Sequence, residues 1–226
     1  MPIRENSFVP ERIYHIFNKT VDEKKAFASP DSCRHFIQLL QYYRSSNVRV
    51  RFSRYRSLPI SVRSEIYTEI LKPPSFMVNI LAFCLMPNHY HLLLKQNSIN
   101  GISQYMSIVQ NAFTRHANIK GSRKGPLFLT QFKAVEVKTD DQLKHVSRYI
   151  HLNPNSSHLI SSKTNLPKYK YSSYPSYISG SNDSITDDSI VMSLFNNNRS
   201  KYEQFVLDNA DYQERLENLK HTFKWR

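Results

Sequence analysis

Apolar and polar positions alternate over Glu11–Lys19 (ERIYHIFNK), with Ile13, His15 and Phe17 on one side and Tyr14 and Ile16 on the other. A period of two is that of a strand, so this stretch is expected to be the first one. Ser29-Pro30-Asp31 then offers a helix start, and Phe36, Leu39, Leu40 and Tyr43 follow at helical spacing. Val48–Tyr55 alternates again but carries Arg49, Arg51 and Arg54 among its apolar residues, which suits either a short strand or an extended basic loop. Ser61–Leu71 reads as a helix that stops before Pro73-Pro74. Val78–Met86 is an apolar run of strand length, Pro87-Asn88 breaks it, and Leu92–Leu94 is a second run.

Further on, Ile102, Tyr105, Met106, Val109 and Phe113 follow the i, i+3, i+4, i+7 rule, which predicts an amphipathic helix over 101–118. Gly121–Pro126 is a basic turn, and Leu127–Lys138 an extended element. Asp140-Asp141 caps a helix expected to run to about Asn153 and to end before Pro154. Residues 155–185, rich in Ser, Asn, Lys and Tyr, read as an extended loop, and 200–221 as a surface helix on an acidic tail. This order of elements predicts an α+β fold, one antiparallel sheet with helices packed on it.

Charge narrows the function. The 226 residues carry a formal net charge of +13, with a pI near 9.7. Residues 181–226 hold six Lys/Arg against eight Asp/Glu, so the first 180 residues carry +15. A polyanion is the expected partner, and it belongs upstream of residue 181. No segment reaches the ~18 consecutive apolar residues of a membrane span, no strongly amphipathic basic helix suggests membrane binding, and Met1–Asn6 lacks the apolar stretch of a signal peptide. Cys33 and Cys84 form neither a disulfide framework nor a zinc spacing, and Cys84 lies in an apolar run as a small core residue. A reducing, cytoplasmic setting is expected.

Two pairs of residues carry candidate chemistry. On a strand His89 and His91 project together, roughly 7 Å apart at the backbone, while Tyr90 faces the core. Two imidazoles on one rigid strand are half of a divalent-metal site, although a His-x-His pair in an apolar setting is more often structural. Tyr149 and Asn153, at i and i+4 of the last predicted helix, share a face on the flank of its apolar stripe of Leu143, Val146 and Ile150. That places them at the edge of the helix–sheet contact, where a half-buried Tyr and a helix-ending Asn are also ordinary.

FCLMPNHYHLLL at Phe83–Leu94, followed about sixty residues later by RYIHLNP at Arg148–Pro154, resembles the single-tyrosine HUH transposases. These comprise the transposases of the smallest insertion sequences and the REP-associated tyrosine transposases. IYHIFNKT in the first strand, Gly125–Phe128, Phe132–Ala134 and Tyr171–Tyr174 also fall in the family's order, so the resemblance covers roughly residues 8–178. It implies an RNA-recognition-motif-like core over 8–178, with about 45–77 a basic insertion, and a helical C-terminal tail over 179–226. It further implies that His89 and His91 bind Mg²⁺ or Mn²⁺, that Asn153 completes the coordination, and that Tyr149 is the nucleophile. Single-stranded DNA would be nicked and rejoined beside a hairpin, a REP-like element or an insertion-sequence end, through a 5′-phosphotyrosine, by a monomer or a homodimer.

Arg115, Arg123, Lys124, Lys133, Lys144 and Arg148 surround this site in sequence and are the expected DNA contacts. His145, one turn before Tyr149, is expected to be an ordinary exposed residue. The chain departs from the family's pattern at Thr130-Gln131, at Asn155–His158 and at Tyr171, positions that bear on DNA specificity more than on cleavage. A domesticated protein that binds hairpins without cutting them is the alternative of a different class. A replication initiator of the wider HUH group fits less well, because no phosphate-loop motif is present.

Overall fold

The structure is a computed structural model that describes residues 7–72, 75–181, 183 and 185–208. Four strands, β1 (Ile13–Lys19), β2 (Val78–Met86), β3 (His89–Gln96) and β4 (Lys133–Val137), form one antiparallel sheet in the order β2-β3-β1-β4. Helix α1 (Pro30–Tyr43) links β1 to β2 together with α2 (Phe52–Arg56) and α3 (Ile60–Ile70). Helix α4 (Gly101–Lys120) links β3 to β4, and α5 (Asp140–Ser156) follows β4. The expected α+β class with an RNA-recognition-motif-like sheet is what the chain adopts.

Alternation along the strands divides the molecule into two cores. Tyr14, Ile16, Phe83, Leu85, Tyr90, Leu92 and Leu94 face α1 and α4, where they meet Phe36, Leu39, Leu40, Tyr105, Val109 and Phe113. The opposite sides of the same strands offer Ala82, Cys84, Met86 and Leu93 to Leu143 and Ile150 of α5. A bulge between Ile80 and Ala82 shifts the β2–β3 register, so Leu81 and Ala82 both join this second core. Ser29 caps α1 by accepting from Ser32 N–H, with Pro30 in the first turn, as its sequence predicts. At the start of α4 the backbone comes so close that a Cβ on Gly101 would lie 2.5 Å from the Met77 carbonyl oxygen.

Four expectations need correction. The Val48–Tyr55 stretch forms neither strand nor loop alone: Phe52–Arg56 is helical, because Phe52 buries under Tyr42 and Tyr43 and its N–H donates to the Tyr43 hydroxyl. The helix α5 does not stop before Pro154 but carries it inside its last turn. The hydrogen bond that proline cannot donate is offset there by burial of Asn153, Pro154, Asn155 and Ser156, and Ser156 Oγ donates to the Leu152 carbonyl.

Third, residues 155–185 are not simply an extended loop. A 3₁₀ turn at Lys163–Lys168 and helix α6 (Tyr174–Ser179) pack on the sheet. The Tyr169 and Tyr177 hydroxyls donate to the Leu85 and Leu81 carbonyls at 2.5 and 2.6 Å, and Leu85 N–H donates to the Tyr171 carbonyl. This segment covers the outer edge of β2, which would otherwise present unpaired backbone groups. Last, helix α8 (Arg199–Leu207), reached after α7 (Ser189–Ser193), does not merely lie on the surface: it exposes Ser200, Lys201 and Gln204 but buries Tyr202 and Val206 in the second core. The rest of the predicted C-terminal helix, and Pro73-Pro74, lie outside the described residues.

Candidate active site

The β2–β3 turn at Pro87-Asn88 puts the histidine triplet at the start of β3 itself rather than between two strands. Tyr90 is wholly buried and accepts a hydrogen bond from Gln110 Nε2 at 2.6 Å, as a core residue. His89 and His91 face the α5 side, with ring centroids 5.1 Å apart. His89 is half-buried and His91 is buried.

Each imidazole has a hydrogen-bonding neighbour at Nδ1. His89 Nδ1 lies 2.7 Å from Asn88 Oδ1, and because that oxygen can only accept, the proton of this bond sits on Nδ1. His91 Nδ1 lies 3.0 Å from Nε2 of His15 on β1. When His91 donates in that bond, Nε2 is the nitrogen that carries its lone pair. Histidine ligands of metals are commonly oriented in this way by a partner on the second ring nitrogen. His15 was not among the residues assigned to the site from sequence. The signal for it was present, since His15 shares the strand face of Ile13 and Phe17, but only the sheet register brings that face beside His91.

From the other side, α5 lowers Tyr149 onto this pair. Its ring stands edge-on to His91, centroids 5.3 Å apart, and to His15 at 5.8 Å. Tyr149 is half-buried, at the border between the covered half of the sheet and the open half. Asn153, one turn later, is buried, and its Nδ2 donates to the Tyr149 carbonyl at 3.5 Å, which engages the amide nitrogen and not the oxygen. Among the described residues no three His, Cys, Asp or Glu side chains form a metal-ligand group. A third protein ligand would therefore have to be of another type, and an amide oxygen such as that of Asn153 is a suitable donor. Two neutral imidazoles and an amide fit a divalent cation that completes its shell with water or phosphate oxygens.

Among the described residues, no element packs over the α5 side of the sheet beyond the histidines. The register aligns His91, Phe17 and Lys133 in one row across β3, β1 and β4, and His89 with Lys19 in the next. Phe17 is half-buried, Lys19 and Lys133 are exposed, and Val135 is 56% exposed. The result is a platform of rings edged by lysines, contiguous with the histidine pair.

The six expected DNA contacts do not come together. Lys133 lies on the platform. Arg115 and Arg123 instead line a cleft on the outer face of α4, in the layer on the other side of the sheet, and Arg123 holds Asn118 Oδ1 at 2.7 Å and the Pro126 carbonyl at 2.8 Å. Lys124 is exposed in the adjoining turn. On α5, Lys144 pairs with Asp141 at 3.6 Å, while Arg148 lies over the Phe205 ring and bonds His145 Nδ1 at 2.7 Å. His145 is exposed, as expected. Arg148 thus serves the contact between α5 and α8, because its place on the helix turns it toward the C-terminal elements.

His151 also proves structural. It is fully buried, with Nδ1 2.7 Å from the Tyr202 hydroxyl and Nε2 2.8 Å from Ser173 Oγ, and burial pushes its pKa down to about 3. Ser173 in turn accepts from the Phe83 N–H, so the Tyr171–Tyr174 motif ties α5 and α8 to β2.

A family model described as IS200-like transposase matches residues 62–153, from within α3 to the last turns of α5. Among curated proteins none matches in sequence. In fold the chain is similar to a REP-associated tyrosine transposase solved bound to a REP hairpin, with a TM-score of 0.53 and 11% identity over 83% of this chain and 90% of that one. The family match takes in both histidines, Tyr149 and Asn153, of which the histidines and Tyr149 meet on the α5 side of the sheet. Over residues 62–153 the chain is thus similar to the IS200-like transposases, and over most of its length it shares the fold of a REP-associated tyrosine transposase.

Proposed function

We infer that the protein nicks and rejoins single-stranded DNA beside a hairpin, with Tyr149 as nucleophile and His89, His91 and Asn153 as ligands of a divalent cation. The observation that carries this reading is the seating of the Tyr149 ring against His91 and His15 at the border of an open, ring-lined sheet face. The fold neighbour's hairpin complex supports a hairpin-bearing DNA as the partner.

Platform and site divide the work. Phe17 supplies a face on which an unpaired base can stack, and Lys19 and Lys133 meet the phosphates. His89 and His91, each held by a partner on Nδ1, keep their Nε2 atoms toward the bound group. Mg²⁺ or Mn²⁺ held there would draw charge from the phosphate oxygens and so make the phosphorus open to attack. Tyr149 Oη forms a bond to phosphorus while the bond from phosphorus to the 3′ oxygen breaks. The tyrosine proton is given up and the departing 3′ oxygen gains one, so the products are a 5′-phosphotyrosine and a free 3′-OH. Attack by a 3′-OH on that linkage reverses the step, and no nucleotide cofactor is consumed.

The test is a labelled hairpin with single-stranded flanks, incubated with Mn²⁺ or Mg²⁺ and resolved under denaturing conditions. The wild type is expected to form a covalent protein–DNA adduct that Tyr149→Phe abolishes while binding is retained. Equal adduct in the variant would remove Tyr149 from the role. Tight binding without any adduct on the gene's own flanking DNA would favour the domesticated, non-cleaving hairpin binder.

A further inference from the structure

A second concave site lies in the opposite layer, where α2 and α3 pack beside α1. The cleft, about 370 Å³, is lined by the rings of Tyr42, Phe52, Tyr55 and Tyr67 and by Arg56 and Arg63. Tyr42 and Phe52 are buried and form its floor, with centroids 5.1 Å apart, whereas Tyr55 and Tyr67 are half-buried. Gln38 and Gln41 add amide donors and acceptors at the α1 side, and no carboxylate lines the space.

Its charge has no internal use. Arg63 buries its Nε without a hydrogen-bond partner. Arg56 in the lining is exposed, as are Arg49, Arg51 and Arg54 earlier in the same segment, and no ion pair is found for any of the five arginines among the described residues. Burial chiefly, and Arg56 and Lys120 after it, lower the pKa of the stacked His35–His116 pair, whose centroids are 3.8 Å apart. Flat aromatic walls, amide groups and unpaired guanidiniums in one cleft match the three parts of a nucleotide: base face, base edge and phosphate.

We propose that this cleft takes one unpaired nucleotide of the DNA, its base against Tyr55 and Tyr67 and its phosphate on Arg63 and Arg56. The proposal rests on the reading of DNA as the partner. Because α1 lies on the sheet face opposite Tyr149, the cleft is a separate attachment point, and it governs affinity without touching the reacting atoms.

The experiment uses the full chain and a hairpin with single-stranded flanks in which each unpaired thymine is replaced by 5-iodouracil. Irradiation followed by peptide mass spectrometry is expected to find a cross-link on the peptides carrying Tyr55 or Tyr67. Tyr67→Leu and Arg63→Gln are each expected to raise the Kd about tenfold, Tyr67→Phe to restore it, and the adduct yield at saturating DNA to stay unchanged in all three. Cross-links confined to the β-sheet platform, with wild-type Kd in both variants, would overturn the cleft while leaving DNA as the partner. Failure of the wild type to bind the hairpin at all would instead overturn both readings.

Discussion

Nε2 of His15 lies 3.0 Å from Nδ1 of His91, one imidazole bracing another across the β1–β3 pairing. The contact gives His15 the place of a positioning residue for the proposed metal site: where His91 Nδ1 donates to it, the lone pair of His91 stands on Nε2. His15→Ala is expected to weaken Mn²⁺ binding by ~10–100-fold, the usual cost of losing such a partner. Calorimetric titration of DNA-free protein reads this directly, with circular dichroism to verify the fold. A Kd within about twofold of wild type would show that His91 keeps its tautomer unaided.

The helix bearing Tyr149 packs on the sheet of its own chain, where Ile150 and Leu143 join Cys84, Met86 and Leu93. The nucleophile and the histidines are thus expected to act within one chain. Mixing His91→Ala protein with Tyr149→Phe protein should give no adduct above that of either alone. Recovery of a substantial fraction of wild-type adduct in the mixture would mean that α5 is exchanged between subunits.

The row His91–Phe17–Lys133 should follow the path of single-stranded DNA. Phe17→Leu, which keeps apolar volume but removes the ring face, is expected to cost roughly tenfold in affinity. Lys133→Gln should lower the slope of log K against log salt by about 0.7, the value for one single-strand phosphate contact. Fluorescence anisotropy over a salt series measures both. An unchanged slope would take Lys133 off the path.

Acid should loosen the tie between α5 and the C-terminal elements. His151 is held neutral by burial, with its pKa pushed down to about 3, whereas an unfolded histidine titrates near ~6.5. As pH falls below that value the unfolded chain takes up a proton that the folded chain refuses. The contribution of His151 is therefore complete above about pH 6.5 and declines by about 1.4 kcal/mol per pH unit toward pH 3. His35, pushed down to about 4 mainly by burial, acts in the same direction. Urea unfolding at pH 7.5, 6 and 5 should show this loss in the wild type and a shallower one in His151→Gln. Parallel profiles would place the acid sensitivity elsewhere.

The linear order of residues was sufficient for the sheet strands and for α1, α3, α4 and most of α5, because each buries one face and so repeats with its own period. It also supplied His89, His91 and Tyr149, whose shared faces follow from i+2 and helical spacing. Where burial comes from contacts distant in the chain, that information was missing. Pro154 looks like a helix end until the burial around it is known, and Phe52–Arg56 becomes helical only under Tyr42 and Tyr43. The tyrosines of 169–177 read as loop residues until their hydroxyls meet the carbonyls of β2.

The basic residues show the same limit. A charge near Tyr149 in sequence says nothing about the direction in which its side chain leaves the backbone, so Arg148 turned out to lie on Phe205 and Arg123 to hold its own turn. The sequence by itself thus determined the strands and the longer helices and pointed to the few residues proposed to carry chemistry. Tertiary structure decided what stands beside them: His15 behind His91, the platform through Phe17 and Lys133, and the aromatic cleft under α3. The physical reason is that periodicity encodes a residue's own face, while strand register and helix packing, set by the whole core at once, choose the neighbour across from it.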